Sequence, residues 1–445
     1  SETISSEKLH PRATICVRGR SRLDGNKFHY THNFSFVHTI SYDDSALGIS
    51  AFCSARDIRA RTTVGPNPFL GVIFHWIGGL CSASNFIPFR GIKRWSWEIY
   101  WIIQGVAAWL IAPTLIAAIF VPHIASILRA SPTSSIAYAM LWGVLWGVGG
   151  LTFGLSIRYL GLGLGYAIAL GFCTAFGTLI PPIYHGQMYS ILHERSGQWI
   201  LVGVFMCLVA IAVSGAAGYS KEREVTAAEK AEAGERDFSF VKGLAVAIFA
   251  GIMSSFFAFG LDAGKPIADI ARLRLVAAGK YDLWSNLPVL IVVLWGGFVT
   301  NFVWSAVLIV RNRSIRQFAG EPGDNPMGTA AVTGDTLMEF DPRDLMQRIN
   351  PSTLLRNYLL AALAGIIWYF QFFFYSMGET KMGKYDFASW TLHMASIIIF
   401  ANLWGIALRE WRGTSLRTRA LVGCGLALLV GSTVVVGYGS YLKVR

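Results

Sequence analysis

Ten stretches of roughly 20 mostly apolar residues recur along this 445-residue chain, at 69–89, 97–121, 136–157, 162–183, 198–218, 240–261, 284–310, 354–378, 386–408 and 418–440. Such a stretch matches the hydrocarbon thickness of a bilayer when helical. A chain with ten of them has little choice but to cross a membrane repeatedly as helices, because only helices satisfy their own backbone there. The composition agrees: 53% of residues are hydrophobic and only 14% are charged, against about a quarter charged in soluble domains. The expected fold is an all-α membrane protein of about ten transmembrane helices.

The net charge of +12 does not point to nucleic acid, since the basic residues stand in short clusters between apolar runs. The six cysteines form no CxxC pair, and Cys81, Cys173, Cys207 and Cys424 lie inside apolar runs, which suits small buried hydrophobes rather than disulfides or a zinc site. No His/Cys/Asp set has metal-ligand spacing, no Walker A run is present, and nothing resembles an activated nucleophile. No metal, cofactor or enzymatic activity is expected.

Residues 1–63 are polar, hold nine Lys/Arg, and contain neither a span nor a signal-peptide core. The first methionine is Met140. The expectation is a disordered or non-native extension, with the folded chain starting near Val64. Residues 64–239 then form a first five-helix unit with a charged linker at 219–239, and 240–445 form a second. The connection 311–353 is the longest.

The two units share weak local matches in one order. Gly71, Gly79, Ser82 and Lys93 correspond to Gly243, Gly251, Ser254 and Lys265. Trp146 and Gly161 correspond to Trp368 and Gly383, and Leu201-Val202-Gly203 to Leu421-Val422-Gly423. Five spans is an odd number, so the second unit must enter from the opposite side, giving two inverted five-helix repeats. With the start at Val64, and each connection counted with the first turn of the helix that follows, the odd-numbered connections hold 19 Lys/Arg. The even-numbered ones and the C-terminus hold 10. The positive-inside rule then places the odd connections in the cytoplasm.

Ionisable groups within spans mark functional sites by default. His75 sits two turns into the first span. Asp262 and Lys265 close the sixth and could pair with each other. Glu98 and Arg158, at span ends, read as groups snorkelling to the interface. Trp368, Gln371, Tyr375 and Glu379 fall at i, i+3, i+7 and i+11 on one face of the eighth span, and Asp386, Trp390 and His393 at i, i+4 and i+7 on the ninth. Aromatic faces with an amide, a phenol, a carboxylate and an imidazole are what a sugar needs for its C–H face and hydroxyls. Packing alone would also produce an aromatic stripe. Trp142 and Trp146, one turn apart on the third span, fit either role.

The stretch from His75 through Trp95-Ser96-Trp97-Glu98, the run from Trp146-Gly147 to Arg158-Tyr159-Leu160-Gly161, and above all residues 368–411 resemble the L-rhamnose–proton symporter family of the drug/metabolite transporter superfamily. The resemblance runs from about residue 67 to the C-terminus. It implies two five-helix repeats and proton-driven uptake of a deoxyhexose across a bacterial inner membrane; a drug or metabolite exporter on the same fold is the alternative. On this reading His75, Trp146, Gln371, Tyr375 and Trp390 bind the sugar, while Asp386, His393 and Asp262 are candidates to carry the proton. The partners are then a monosaccharide, protons and the lipid bilayer.

Overall fold

The computed structural model describes residues 65–160, 162–224, 240–322, 347–383 and 386–444. The tail over 1–63 and most of both long connections lie outside them. Among the described residues there is no strand, and ten helices are long and apolar enough to cross a membrane. They run Pro68–Gly91, Trp97–Phe120, Thr133–Ile157, Leu164–Tyr184, Arg195–Glu224, Phe240–Ala263, Asp282–Asn312, Pro351–Glu379, Ala388–Ala407 and Leu416–Lys443, here numbered one to ten. Each overlaps an expected stretch to within a few residues. Their outward faces carry large exposed apolar side chains such as Phe205 (68%) and Val434 (63%), as contact with lipid requires.

Local chemistry sets several helix ends. Asn67 and Asn350 each stand before a proline at the first helical position, and their side chains accept from the backbone N–H of Leu70 (3.1 Å) and Thr353 (2.8 Å). Helices seven and nine end in a different way. Arg313 (φ 52°) and Arg409 (φ 60°) adopt the left-handed conformation just beyond the last turn. Around Arg409, the Glu410 N–H reaches the Gly405 carbonyl (2.8 Å) and the Arg409 N–H the Ile406 carbonyl (3.0 Å), a Schellman closure in a position that glycine usually takes.

The helix pairing has a pattern. Span three packs on six and seven, four on six, three on four, and four on five; span eight packs on one and two, nine on one, eight on nine, and nine on ten. Spans two and seven, four and nine, and five and ten also pack on each other. Adding or subtracting five turns each of these pairings into another or into itself. Glycines make the close crossings possible. A Cβ on Gly143 of span three would meet the Val293 carbonyl of span seven, and one on Gly365 of span eight the Gln104 carbonyl of span two. Gly251 of span six lies against Ala169 of span four, and Gly79 of span one against Ser396 of span nine.

Span two contains a π turn over Val106–Ile111, and Pro113 follows it. Proline has no N–H to give and its ring crowds the carbonyl of the preceding turn. Widening that turn by one residue relieves the crowding.

The odd-numbered connections meet at one end of the bundle. Arg94 Nη1 donates to the Arg348 carbonyl (3.2 Å), Trp95 Nε1 to the Gln317 carbonyl (2.9 Å), and Arg90 pairs with Glu410 (3.4 Å). Glu98 differs from its expected role. It is 1% exposed, and its Oε1 accepts from Asn312 Nδ2 (3.1 Å) and Ser314 Oγ (2.7 Å), so it ties spans two and seven together instead of snorkelling. The side chain of Arg158 lies outside the described residues.

Candidate functional site

Spans one, two, three, six, eight and nine enclose an aromatic and polar cluster. Tyr375 of span eight lies between two imidazoles, with ring centroids 5.3 Å from His75 of span one and 5.2 Å from His393 of span nine. Both histidines are fully buried, and Gln371, Tyr375 and Trp390 are each 3% exposed. Phe257 of span six stacks on Phe372 (3.9 Å, 19°) and on Trp390 (5.8 Å, 21°). Trp146 closes another wall against Phe257 (5.1 Å), Trp368 (5.9 Å) and Trp109 (6.4 Å).

Among the described residues, neither ring nitrogen of His75 or His393 finds a hydrogen-bond partner, nor do Gln371 Nε2 and Trp109 Nε1. A buried polar atom left so costs about 1–3 kcal/mol. Several in one cluster are characteristic of a place where hydroxyl-bearing molecules complete the bonding. Trp390 differs: its Nε1 donates to the Cys173 carbonyl of span four (3.1 Å), and its ring fills the space above Gly177, so it offers a face and no free donor.

A second group of residues sits at the end that holds both Pro68 and Val444. Lys265 Nζ bridges Asp262 (2.9 Å) and Asp386 (3.3 Å), as the spacing of Asp262 and Lys265 suggested, and His185 Nε2 reaches Asp262 Oδ2 (2.7 Å). Asn286 Nδ2 donates to Glu379 Oε2 (2.8 Å). Burial works to lower the Lys265 ammonium, but the Asp386 and Asp262 carboxylates outweigh it and hold the group well above the ordinary lysine range.

The expected site residues therefore separate into two places. His75, Trp146, Gln371, Tyr375, Trp390 and His393 meet in the buried cluster; Asp262 and Asp386 stand at its mouth. Asp386 does not share a helical face with His393, because the chain turns after Gly383 (φ 69°) and the ninth helix starts only at Ala388. Trp142 and Trp146 also part: Trp142 packs on Phe256 (4.8 Å) and Phe259 (5.6 Å), away from the centre. Sequence reasoning missed Trp109, Phe257, Phe372 and Asn286. Pro113 was the one available hint for Trp109, since it dictates the π turn that carries that ring.

Among the described residues, ten apolar helices closed around a buried cluster of aromatic and hydrogen-bonding side chains define a multi-pass membrane protein. Comparison with known proteins narrows this. Residues 66–320 and 346–441 match the family described as L-rhamnose-proton symport protein (RhaT). The L-rhamnose-proton symporter of Klebsiella pneumoniae (strain 342) is 31% identical over 371 residues, covering 83% of this chain and 97% of that protein. The L-rhamnose-proton symporters of Cronobacter sakazakii (31%) and Salmonella gallinarum (32%) align over 373 residues each, with the same coverage. The chain belongs to the L-rhamnose-proton symporter family.

Proposed function

We propose that this protein carries L-rhamnose, or a closely related deoxyhexose, together with a proton across the bacterial inner membrane. Transport proceeds by alternating access between two inverted five-helix halves, 64–239 and 240–445. The relatives' names supply the sugar and the ion. The observation that carries the reading is the buried cluster itself, to which both halves contribute: His75, Trp109 and Trp146 from one, Phe257, Gln371, Tyr375 and His393 from the other. Its aromatic walls suit the C–H face and the methyl group of a 6-deoxy sugar, while its unpartnered imidazoles and amide suit the hydroxyls.

Support for two halves comes from the pairing pattern, most of which is unchanged when five is added to a span number (one also packs on ten, and five on nine, without an equally extensive counterpart), and from the crossings at Gly143 and Gly365, which stand 222 positions apart like Trp146 and Trp368. His75, Gln371, Tyr375, Trp390 and His393 are buried, so sugar reaches them only when helices separate. At the mouth, a proton arriving at Asp262 or Asp386 breaks an ion pair with Lys265, and the contact of His185 with Asp262 spans the two halves. Proton binding there thus loosens what holds one entrance shut. His393 places a second titratable group against the sugar. The energy source is an ion gradient, as the sequence has no nucleotide motif.

Purified protein in liposomes should accumulate labelled L-rhamnose when an inward proton gradient is imposed, and lose that accumulation when a protonophore is added. Accumulation that ignores the protonophore, or no preference for L-rhamnose over other monosaccharides, would contradict the proposal.

A further inference from the structure

A cavity of about 590 Å³ lies far from the sugar cluster, at the end where the odd-numbered connections meet. Its floor is apolar, formed by Ile406 of span nine and Val422 and Leu426 of span ten. Its rim holds Arg409, Arg412 and Arg419, all exposed. None of the three forms an ion pair among the described residues. Glu410, which lies between them in sequence, is turned to Arg90. Leu403 (45%), Ile406 (49%) and Leu416 (77%) continue the apolar surface outward beside the cavity, so it opens toward lipid.

The backbone adds an independent observation. Among the described residues only four other than glycine have positive φ: Arg94, His123, Arg313 and Arg409. The three arginines all stand at this one end. Glycine is the usual occupant of helix-closing positions such as those of Arg313 and Arg409, yet here the chain holds arginine in a disfavoured conformation. Trp411 forms part of the wall, with Lys221 4.9 Å above its ring and an indole N–H that has no partner among the described residues. A tryptophan of this kind belongs at the membrane interface.

We infer that this cavity binds an anionic phospholipid of the adjacent leaflet. The phosphate diester lies among Arg409, Arg412 and Arg419, and the acyl chains run down the Ile406–Val422–Leu426 floor. Three unpaired guanidinium groups above an apolar groove complement such a molecule at both ends. A zwitterionic lipid brings the same phosphate diester but adds a headgroup cation that the guanidinium groups repel, and a free phosphate satisfies only the rim.

Native mass spectrometry of the full chain in detergent, titrated with phosphatidylglycerol, phosphatidylcholine or inorganic phosphate, tests the site. Phosphatidylglycerol should bind about tenfold more tightly than phosphatidylcholine, and equimolar inorganic phosphate should not displace it. Arg412→Gln and Arg419→Gln should each weaken phosphatidylglycerol roughly fivefold while leaving phosphatidylcholine unchanged in the same variant. Arg409→Gly separates structure from binding. It gives the left-handed position its preferred residue, so thermal stability in phosphatidylcholine should hold or rise while phosphatidylglycerol binding falls about fivefold. Equal binding of the two lipids, phosphatidylglycerol binding unchanged in all three variants, or displacement by inorganic phosphate would overturn the assignment.

Discussion

Replacing Gly365 by alanine sets span eight against span two. The added methyl would lie 2.9 Å from Ala107 Cβ, 3.1 Å from the Ala108 nitrogen, and closer still to the Gln104 carbonyl. Carbon atoms in contact sit about 3.5–4.0 Å apart, so the helices must part locally by roughly 0.6 Å or more. The obstructing atoms are backbone and one alanine Cβ, none of which can rotate aside. Overpacking of this kind costs about 1–3 kcal/mol, offset by the roughly 0.5–1 kcal/mol that alanine gains over glycine within a helix. A net loss of about 1–2 kcal/mol should lower the melting temperature of the detergent-solubilised protein by roughly 2–4 °C. Gly143→Ala, whose methyl would meet Val293 and Gly296 of span seven, should show a drop of similar size. Gly150→Ala is the control, since nothing lies within 4 Å of its added carbon and only the helical gain remains. Melting temperatures equal to wild type for both Gly143→Ala and Gly365→Ala would refute the reasoning.

In proteoliposomes, Gln371→Ala should raise the KM for L-rhamnose several-fold at every pH, because a hydrogen bond lost to a neutral sugar has no proton linkage; a change confined to one pH would count against a binding role. Asp386→Asn should abolish pH-driven accumulation while sparing counterflow exchange, and wild-type accumulation in this variant would remove Asp386 from coupling. Lys265 has its folded-state pKa raised, so its stabilisation is fully present below the free lysine value of about 10.4 and is lost only as pH rises through the higher folded value. Lys265→Met should therefore lower the melting temperature at about pH 9, below the free lysine value, and a melting temperature equal to wild type there would contradict the ion-pair account. Fused to the C-terminus, a periplasm-active reporter should work and a cytoplasm-active one should not; the reverse result would invert the orientation read from the Lys/Arg distribution.

The spans were legible because bilayer thickness imposes a length on each apolar run, and every one was placed to within a few residues. Parts of the faces of spans eight and nine were legible too, since 3.6-residue spacing alone lines up Gln371 with Tyr375 and Trp390 with His393. What sequence could not show is where a helix starts within an apolar stretch. Gly383 signals a turn, but nothing in the sequence says that the next helix begins only at Ala388, and so Asp386 reads as sharing a face with His393. Glu98 misled for a related reason. A carboxylate near a helix end reads as interfacial unless its partners are known, and Asn312 and Ser314 lie more than 200 residues away. Phe257 and Phe372 carried no signal, because in a chain with twenty-nine phenylalanines only the third dimension distinguishes those that line a site.

The π turn of span two has a consequence for how such a site can be mapped. Pro113 offers no N–H, so a carbonyl of the preceding turn lacks its helical donor, and inside a bilayer every such acceptor must be satisfied by some other group. This acceptor belongs to the main chain, in the same turn as the indole of Trp109. Side-chain truncation can empty the cluster of rings, imidazoles and amides one at a time and still leave that oxygen in place. The turn that sets the Trp109 ring in the cluster is thus fixed by a proline outside it, which truncating the cluster's own side chains would not reveal.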